Sequence, residues 1–364
     1  MGVTGRILGM VAGAAGVAAA GTAVGVARRR RIIARRGAGE ATPFGTLRSD
    51  PLVIFADDGV PLHVEIDEVF VGDEPSARHR SWRRTPDQPE LTVVFAHGYA
   101  LNLDCWHFQR AGYRGLVRTV FYDQRSHGRS GRATEGKATI DQLGTDLHTI
   151  LEHVAPDGPV VLVGHSMGGM TIIALAEQHP ELFGDRVVGV GLISTTAGGL
   201  KPHKIMLPML PRTMGGDLAQ RAVAALARGH RQVDGLRRIG RDVAMVVTDT
   251  FAFGDDVPSD YVRFVDEMLA ATPFEVVAEF FPNFSTLDKF SIVDALSQVP
   301  TAIICGTDDK LTSIGHSRKL HQHIGWSTLL ECEGAGHMVI MERHVEVNAA
   351  LDQLIAATAE VKPG

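Results

Sequence analysis

The chain has 364 residues, 45% of them hydrophobic, so it is long enough to bury a large core. The net charge is -6, but the residues before Glu40 include seven arginines and no acidic residue. Taking those seven from the 36 basic residues leaves 29 against 42 acidic ones, so the rest of the chain has a net charge of -13. An acidic body disfavours nucleic acid as a partner. Three cysteines are too few for a disulfide framework, and no cysteine–histidine cluster has zinc spacing, so we expect no metal and no cofactor.

Residues 1–36 predict a membrane-anchor-like segment that is separate from the folded body. Residues 7–27 form an uncharged run of 21 residues, and a helix of that length spans about 31 Å, enough for a hydrocarbon core. Four arginines follow the run, whereas a cleaved signal peptide carries its positive charge before it. Positive residues stay inside, so we expect membrane association with the body on the cytoplasmic side. The alternative is a soluble cytoplasmic protein, because alanine and glycine insert weakly. Residues 37–50 predict a linker.

Strands and helices alternate through most of the remaining chain. Residues 52–70 predict a hairpin around the turn at Asp58-Gly59. Short apolar runs then predict buried strands at 91–96, 117–123, 159–164, 186–194, 300–306 and 327–331. Patterns with helical period predict helices from Thr139, whose capping box includes Gln142, and at 167–179, 313–323 and 342–357. This alternation predicts an α/β fold, a mostly parallel sheet with helices on both faces and its active site at the carboxyl ends of the strands.

One long stretch interrupts the alternation. Residues 197–298 contain no clear core strand, but helical patterns recur, as at 218–227 and 261–270. We interpret the stretch as a helical cap inserted after the sixth strand, which divides the core into residues 51–196 and 299–364. The alternative is a loose excursion with no functional surface.

The sequence Gly164-His165-Ser166-Met167-Gly168 follows a predicted strand and precedes a predicted helix. This context identifies a nucleophile elbow, with Ser166 as the nucleophile. A serine hydroxyl needs a base, and the order expected on this type of fold is serine, acid, histidine. His337, in a loop after the last predicted strand, is the candidate base. The acid should follow a strand between them, where the sequence offers Asp308 and Asp309.

A tetrahedral intermediate also requires donors for its oxyanion. The backbone N–H of Met167, directly after the nucleophile, is one candidate. The loop that follows the strand at 91–96 should supply the second, and the backbone N–H of Tyr99, beside His97-Gly98, is the candidate there. No substrate-binding side chain can be assigned from the sequence.

The segments VVFAHGY, FYDQRSHGRS, VLVGHSMGGM, IICGTDDKLT and GAGHMV resemble successive signatures of bacterial α/β-hydrolases of the esterase, lipase and cofactor-free haloperoxidase-like group. The resemblance covers roughly residues 50–357 apart from the predicted cap, and implies the α/β-hydrolase fold. It favours Asp309 over Asp308, because this family places the acid three residues after a glycine such as Gly306. It also implies a mostly structural role for the motif that contains Asp123, Arg125, His127, Gly128 and Ser130.

These features predict a serine hydrolase that cleaves a carboxylic ester, of esterase or lipase type, through an acyl-enzyme intermediate. Ser166, Asp309 and His337 would form its catalytic triad. The expected partner is a small-molecule ester, with a lipid-like one favoured by the apolar residues of the predicted cap. Thioesterase, peptidase, C–C hydrolase and perhydrolase chemistry use the same triad and remain alternatives. So does a ligand receptor that has kept the triad.

Overall fold

The computed structural model describes residues 25, 27–37, 39, 41–70, 90–200 and 236–358. Within them, eight strands form a single sheet. The strands are β1 (Pro51–Phe55), β2 (Pro61–Asp67), β3 (Thr92–Ala96), β4 (Arg118–Tyr122), β5 (Val160–His165), β6 (Val187–Ile193), β7 (Thr301–Gly306) and β8 (Ser327–Cys332). Their order across the sheet is β1-β2-β4-β3-β5-β6-β7-β8. β2 pairs antiparallel with β1 and with β4, and the other neighbouring pairs are parallel, so the predicted mostly parallel sheet is confirmed.

Helices cover both faces of this sheet. They are α1 (His107–Tyr113), α2 (Ile140–Val154), α3 (Met167–Gln178), α4 (Leu236–Ala252), α5 (Ser259–Ala271), α6 (Phe274–Thr286), α7 (Ile314–His323), α8 (Val339–Glu342) and α9 (His344–Ala357). Successive side chains of a strand point to opposite faces. Accordingly, Val93 and Phe95 of β3 share a cluster with α1 and α9, whereas Val94 and Ala96 share another with α2, α3 and α7. All residues of β3, β5, β6 and β7 are therefore buried.

The structure contains the predicted turn between β1 and β2 and part of the predicted capping box of α2. The turn between β1 and β2 places Gly59 at a φ of 82°, as expected of an Asp-Gly turn. Thr139 caps α2 by accepting a hydrogen bond from the N–H of Gln142 at 3.1 Å. The Gln142 side chain binds Asp57 and Lys137 instead of reaching back to the cap, so only half of the predicted capping box forms.

Between β6 and β7, the described residues form helices α4, α5 and α6 and no strand. We refer to these three helices as the cap. Phe280 and Phe284 of α6 pack against Met167 and Met170 of α3, and Val265 of α5 joins the cluster on the α1 and α9 side of the sheet. The cap therefore rests directly on the helix that follows the elbow. The helix predicted at 218–227 lies outside the described residues.

Residues 27–37, here called the N-terminal arm, bind to the cap. The arm is helical from 27 to 34, and Ile33 is fully buried. The Arg36 guanidinium lies 2.6 Å from carboxylates of both Asp249 and Asp256, and the carbonyl of Gly37 accepts a hydrogen bond from Ser259 at 2.9 Å. The predicted membrane segment lies outside the described residues apart from positions 25 and 27. Among the helices that are described, none has the length and apolar character to cross a bilayer.

Candidate active site

Ser166 sits in the tight turn between β5 and α3. Its backbone has a φ of 53° and a ψ of -114°, a conformation that costs a residue with a side chain roughly 1–3 kcal/mol. The surrounding backbone holds it there: the N–H of Ser166 donates to the carbonyl of Ile193 at 2.9 Å, and the Thr195 hydroxyl donates to the carbonyl of Ser166 at 2.6 Å. The strand, turn and helix predicted around the motif are thus present, with the serine in a strained position.

The two glycines that flank the serine allow this turn. A Cβ atom on Gly168 would lie 2.0 Å from the carbonyl oxygen of Ala96 in β3. One on Gly164 would lie 2.5 Å from the backbone of Gly168. Both separations are far below van der Waals contact, so only glycine lets α3 begin so close to the sheet.

Asp309 and His337 come from the loops that follow β7 and β8. The Nδ1 atom of His337 lies 2.9 Å from Oδ2 of Asp309, and Oδ1 accepts hydrogen bonds from the N–H groups of Leu311 and Thr312 at 2.8 and 2.9 Å. Burial acts to raise the pKa of Asp309, but the charge and hydrogen bond of His337 and the two amides hold it below the ordinary value. An ionised carboxylate only accepts, so Nδ1 carries the proton and Nε2 is the basic nitrogen.

The neighbouring Asp308 faces away from this pair. Its side chain is exposed, while its backbone N–H donates to the carbonyl of Ala335. Sequence reasoning missed Thr312, whose hydroxyl lies 2.9 Å from Oδ2 of Asp309 and 2.7 Å from the carbonyl of Ser194. The sequence feature that could have indicated this contact is the hydroxyl residue three positions after Asp309. Thr312 therefore links the end of β6 to the loop after β7 that carries Asp309.

Two backbone N–H groups near Ser166 are available as donors. Met167 is the first residue of α3, where an N–H has no partner inside the helix, and Tyr99 lies in the loop after β3. Neither N–H donates to any residue within the described ranges. Burial lowers the pKa of His97 to about 4, so its ring is neutral. It bonds the carbonyl of Gly98 at 2.7 Å and the N–H of Gln124 at 2.9 Å, which fixes the loop.

The same loop is attached to the cap. The Tyr99 hydroxyl donates to the carbonyl of Val277 in α6, and its ring packs edge-on against Phe284 with centroids 4.8 Å apart. The Thr272 hydroxyl, between α5 and α6, donates to the carbonyl of Ala100 at 2.9 Å. The cap thus helps to position the loop that carries one candidate donor.

A cavity of about 260 Å³ lies between the elbow and the cap. Ser166 and His337 are in its wall, although no hydrogen bond joins their side chains. The described lining contains no Asp, Glu, Lys or Arg. It consists of Gly98, Tyr99, Leu101, His165, Ser166, Met170, Leu200, Ala252, Val265, Leu269, Val277, Phe281, Phe284, Leu311, Thr312, His337 and Met338. In the described part of the chain, no group of His, Cys, Asp and Glu side chains could hold a metal ion.

The sequence matches the model of the Alpha/beta hydrolase family over residues 93–350. The chain belongs to the alpha/beta hydrolase family. The resemblance of its motifs to this family is therefore confirmed, and so is the predicted fold with a mostly parallel sheet and helices on both faces.

Several proteins that are similar to this hydrolase are named as lactone- or ester-cleaving enzymes. The 3-oxoadipate enol-lactonase 2 of Acinetobacter baylyi is 29% identical over 269 residues, which cover 74% of this chain and 89% of the relative. A monoacylglycerol lipase of Mycolicibacterium smegmatis is 36% identical over 102 residues, 26% of this chain and 36% of that protein. The structure of a thermophilic esterase from Thermogutta terrifontis superposes with a TM-score of 0.65 at 20% identity, covering 85% of this chain and 99% of that one. The chain is an α/β-fold hydrolase.

The family motif after β4 braces the hydrolase core. The Asp123 carboxylate accepts hydrogen bonds from the N–H groups of Leu103 and Arg129 at 2.7 and 2.8 Å. The fully buried Arg125 pairs with Asp146 at 2.6 Å and with Asp58 at 2.9 Å. None of these side chains lines the cavity. The contacts agree with the structural role that the resemblance implies.

Proposed function

We propose that this hydrolase cleaves uncharged carboxylic esters through an acyl-enzyme intermediate, with Ser166 as nucleophile, His337 as general base and Asp309 as the acid that orients it. The observation that carries the proposal is the shared apolar cavity, which has Ser166 and His337 in its wall and Asp309 hydrogen-bonded to the far nitrogen of His337. The Ser166 and His337 side chains are not hydrogen-bonded to each other, which is compatible with the proposal because catalytic hydrogen bonds are often long until substrate binds.

The proposed reaction has two halves. The Ser166 oxygen attacks the ester carbonyl carbon while Nε2 of His337 takes the hydroxyl proton, and the N–H groups of Tyr99 and Met167 bind the oxyanion. The carbon–oxygen bond to the alcohol then breaks, and His337 returns the proton to the leaving alcohol. Water next attacks the acyl-serine, again with His337 as base, which releases the acid and restores the serine. Asp309 stays ionised and stabilises the imidazolium in both halves.

Ser166→Ala tests the nucleophile. We expect the variant to fold as the wild type does, to lose at least roughly 10³-fold in kcat with a p-nitrophenyl ester, and to resist labelling by a fluorophosphonate probe. Ser285→Ala is the matched control, because Ser285 is an exposed cap serine whose hydroxyl, among the described residues, donates only to the carbonyl of Pro282. Labelling and turnover that survive in Ser166→Ala would disprove the assignment.

The cavity and the relatives support the substrate class. A lactone is an internal ester, so the enol-lactonase relative fits the same chemistry. The apolar lining supports an uncharged, lipid-like acyl group rather than a charged one. Thioester, amide and C–C bond cleavage, perhydrolysis and ligand reception without turnover are the alternatives. A panel of p-nitrophenyl esters run beside the matching thioesters and amides separates them.

Membrane association through residues 7–27 remains a proposal, supported by the uncharged run and the arginines after it. Removing residues 1–24 tests it, since this truncation leaves the N-terminal arm intact. Full-length protein should sediment with membranes and resist extraction by salt, whereas the truncated form should not. If both remain in the supernatant at low salt without detergent, the proposal is wrong.

A further inference from the structure

A carboxylate outside the proposed triad connects the cap to the loop of His337. Glu342, the last residue of α8, uses Oε1 to accept the N–H of Gly336 at 2.7 Å. Its Oε2 accepts the N–H of Gly254 at 2.9 Å and that of Asp255 at 3.4 Å. Gly336 immediately precedes His337, and the other two residues join α4 to α5. One side chain therefore bridges two segments that are about 80 residues apart in sequence.

The two backbones touch beneath this carboxylate. A Cβ atom on Gly254 would lie 2.1 Å from the carbonyl oxygen of Gly334, and one on Gly336 would lie 2.4 Å from the N–H nitrogen of Gly254. The N–H of Met338, on the other side of His337, donates to the carbonyl of Ala252 at the end of α4 at 2.8 Å. Both neighbours of His337 are thus fastened, directly or through Glu342, to the end of a cap helix.

An ion pair with a nearby cation does not explain the position of the Glu342 carboxylate. The adjacent Arg343 is already paired with the carboxylate of Asp255 and donates to the carbonyl of Glu333 at 2.9 Å. Glu346 on α9 also approaches Arg343, at 3.9 Å. Burial raises the pKa of Glu342 to about 7, against the opposing effects of the three N–H groups and Arg343. The fold keeps this carboxyl group in place although burial disfavours its charged form.

We propose that Glu342 is a positioning residue. Its carboxylate fixes the peptide before His337 to the α4–α5 junction, and it thereby sets the orientation of the imidazole toward Ser166 while the cap is packed on the core. The inference rests on the proposed function of His337 as the base. It makes the cap part of the catalytic geometry, since any displacement of Gly254 moves the carboxylate and, through it, Gly336.

Glu342→Gln is the test. The amide keeps one acceptor oxygen, but turns an NH₂ group toward one of the N–H donors, so half of the bridge is lost with little change in volume. We expect kcat for p-nitrophenyl acetate, expressed per serine titrated with a fluorophosphonate, to fall roughly 10-fold, with KM nearly unchanged. A merely structural role would lower the titrated fraction and leave kcat per titrated site unaltered. Glu346→Gln is the matched control and should behave as the wild type does.

Hydrogen exchange gives a second measurement that does not depend on turnover. Peptides covering 252–257 and 333–338 should exchange faster in Glu342→Gln than in Glu346→Gln or the wild type. Unchanged exchange, or an unchanged kcat per titrated site in an active enzyme, would overturn the inference while leaving the proposed function intact. A wild type that neither labels nor turns over would instead refute the proposed function, and exchange alone would then decide whether Glu342 bridges the two segments.

Discussion

The apolar cavity predicts how activity should depend on acyl chain length. Burying one methylene group contributes about 0.8 kcal/mol, and 1.36 kcal/mol corresponds to a tenfold change in rate. From acetate to butyrate to hexanoate, kcat/KM should therefore rise by up to about 4-fold per added methylene. This rise should stop at the chain length that fills the cavity of about 260 Å³.

Val277 allows the same prediction to be tested from the protein side. It is a partly buried residue of α6 in the cavity wall. Val277→Phe should shift the preferred chain to a shorter one, and Val277→Ala should shift it to a longer one. The assay is the initial rate of p-nitrophenol release across the ester series, with kcat and KM fitted for each substrate. A flat series, or equal activity toward valerate and the charged hemisuccinate, would show that the acyl group does not occupy this cavity.

Asp309→Asn should lower kcat by roughly 10⁴-fold and Asp308→Asn should change it little, and the opposite order in ester assays would move the acid by one position. Arg110→Ala removes the buried cation that lies 2.7 Å from two buried carboxylates of β2, so denaturant unfolding should show a loss of about 3–5 kcal/mol. A loss under about 1 kcal/mol would contradict this reasoning. Burial raises the pKa of Glu342 from 4.5 to about 7, so the folded chain binds that proton more tightly than the unfolded chain does. Unfolding free energy should therefore fall by up to about 3 kcal/mol as pH rises from about 4.5 to 7, and Glu342→Gln should flatten this part of the curve.

The sheet could be predicted because its signals are local. Strands such as β3 and β5 are buried on both faces, so they are short apolar runs, and the elbow motif specifies both the strand before it and the helix after it. Asp309 and His337 follow strands that end at the same edge of the sheet, which is why their contact could be anticipated from chain order. Family resemblance was needed to choose Asp309, because the exposure of Asp308 depends on the loop conformation.

The contacts between the cap and the core could not be predicted from sequence. Glu342 lies in a short helix beside an arginine, where a surface ion pair is the ordinary expectation. Its actual partners are backbone N–H groups, which have no sequence signature. Two of these three N–H groups belong to the α4–α5 junction, more than about 80 residues away in sequence. The hydrogen bond from Tyr99 to Val277 is similar, since a tyrosine in an oxyanion loop does not indicate which helix its hydroxyl reaches. The arginines before Glu40 indicate a membrane topology in the sequence, but the guanidinium of one of them, Arg36, binds Asp249 and Asp256 in the structure.

The N-terminal arm has a mechanical consequence for this hydrolase. Arg36, Ile33 and Gly37 attach the arm to α4 and α5, so a pulling force applied before residue 27 reaches the cap before it reaches the sheet. Under load, the walls of the cavity would deform while the eight strands stayed paired. Stretching from the N-terminus should therefore release the cap at a lower force than the core, and stretching from residues after the arm should bypass that first event.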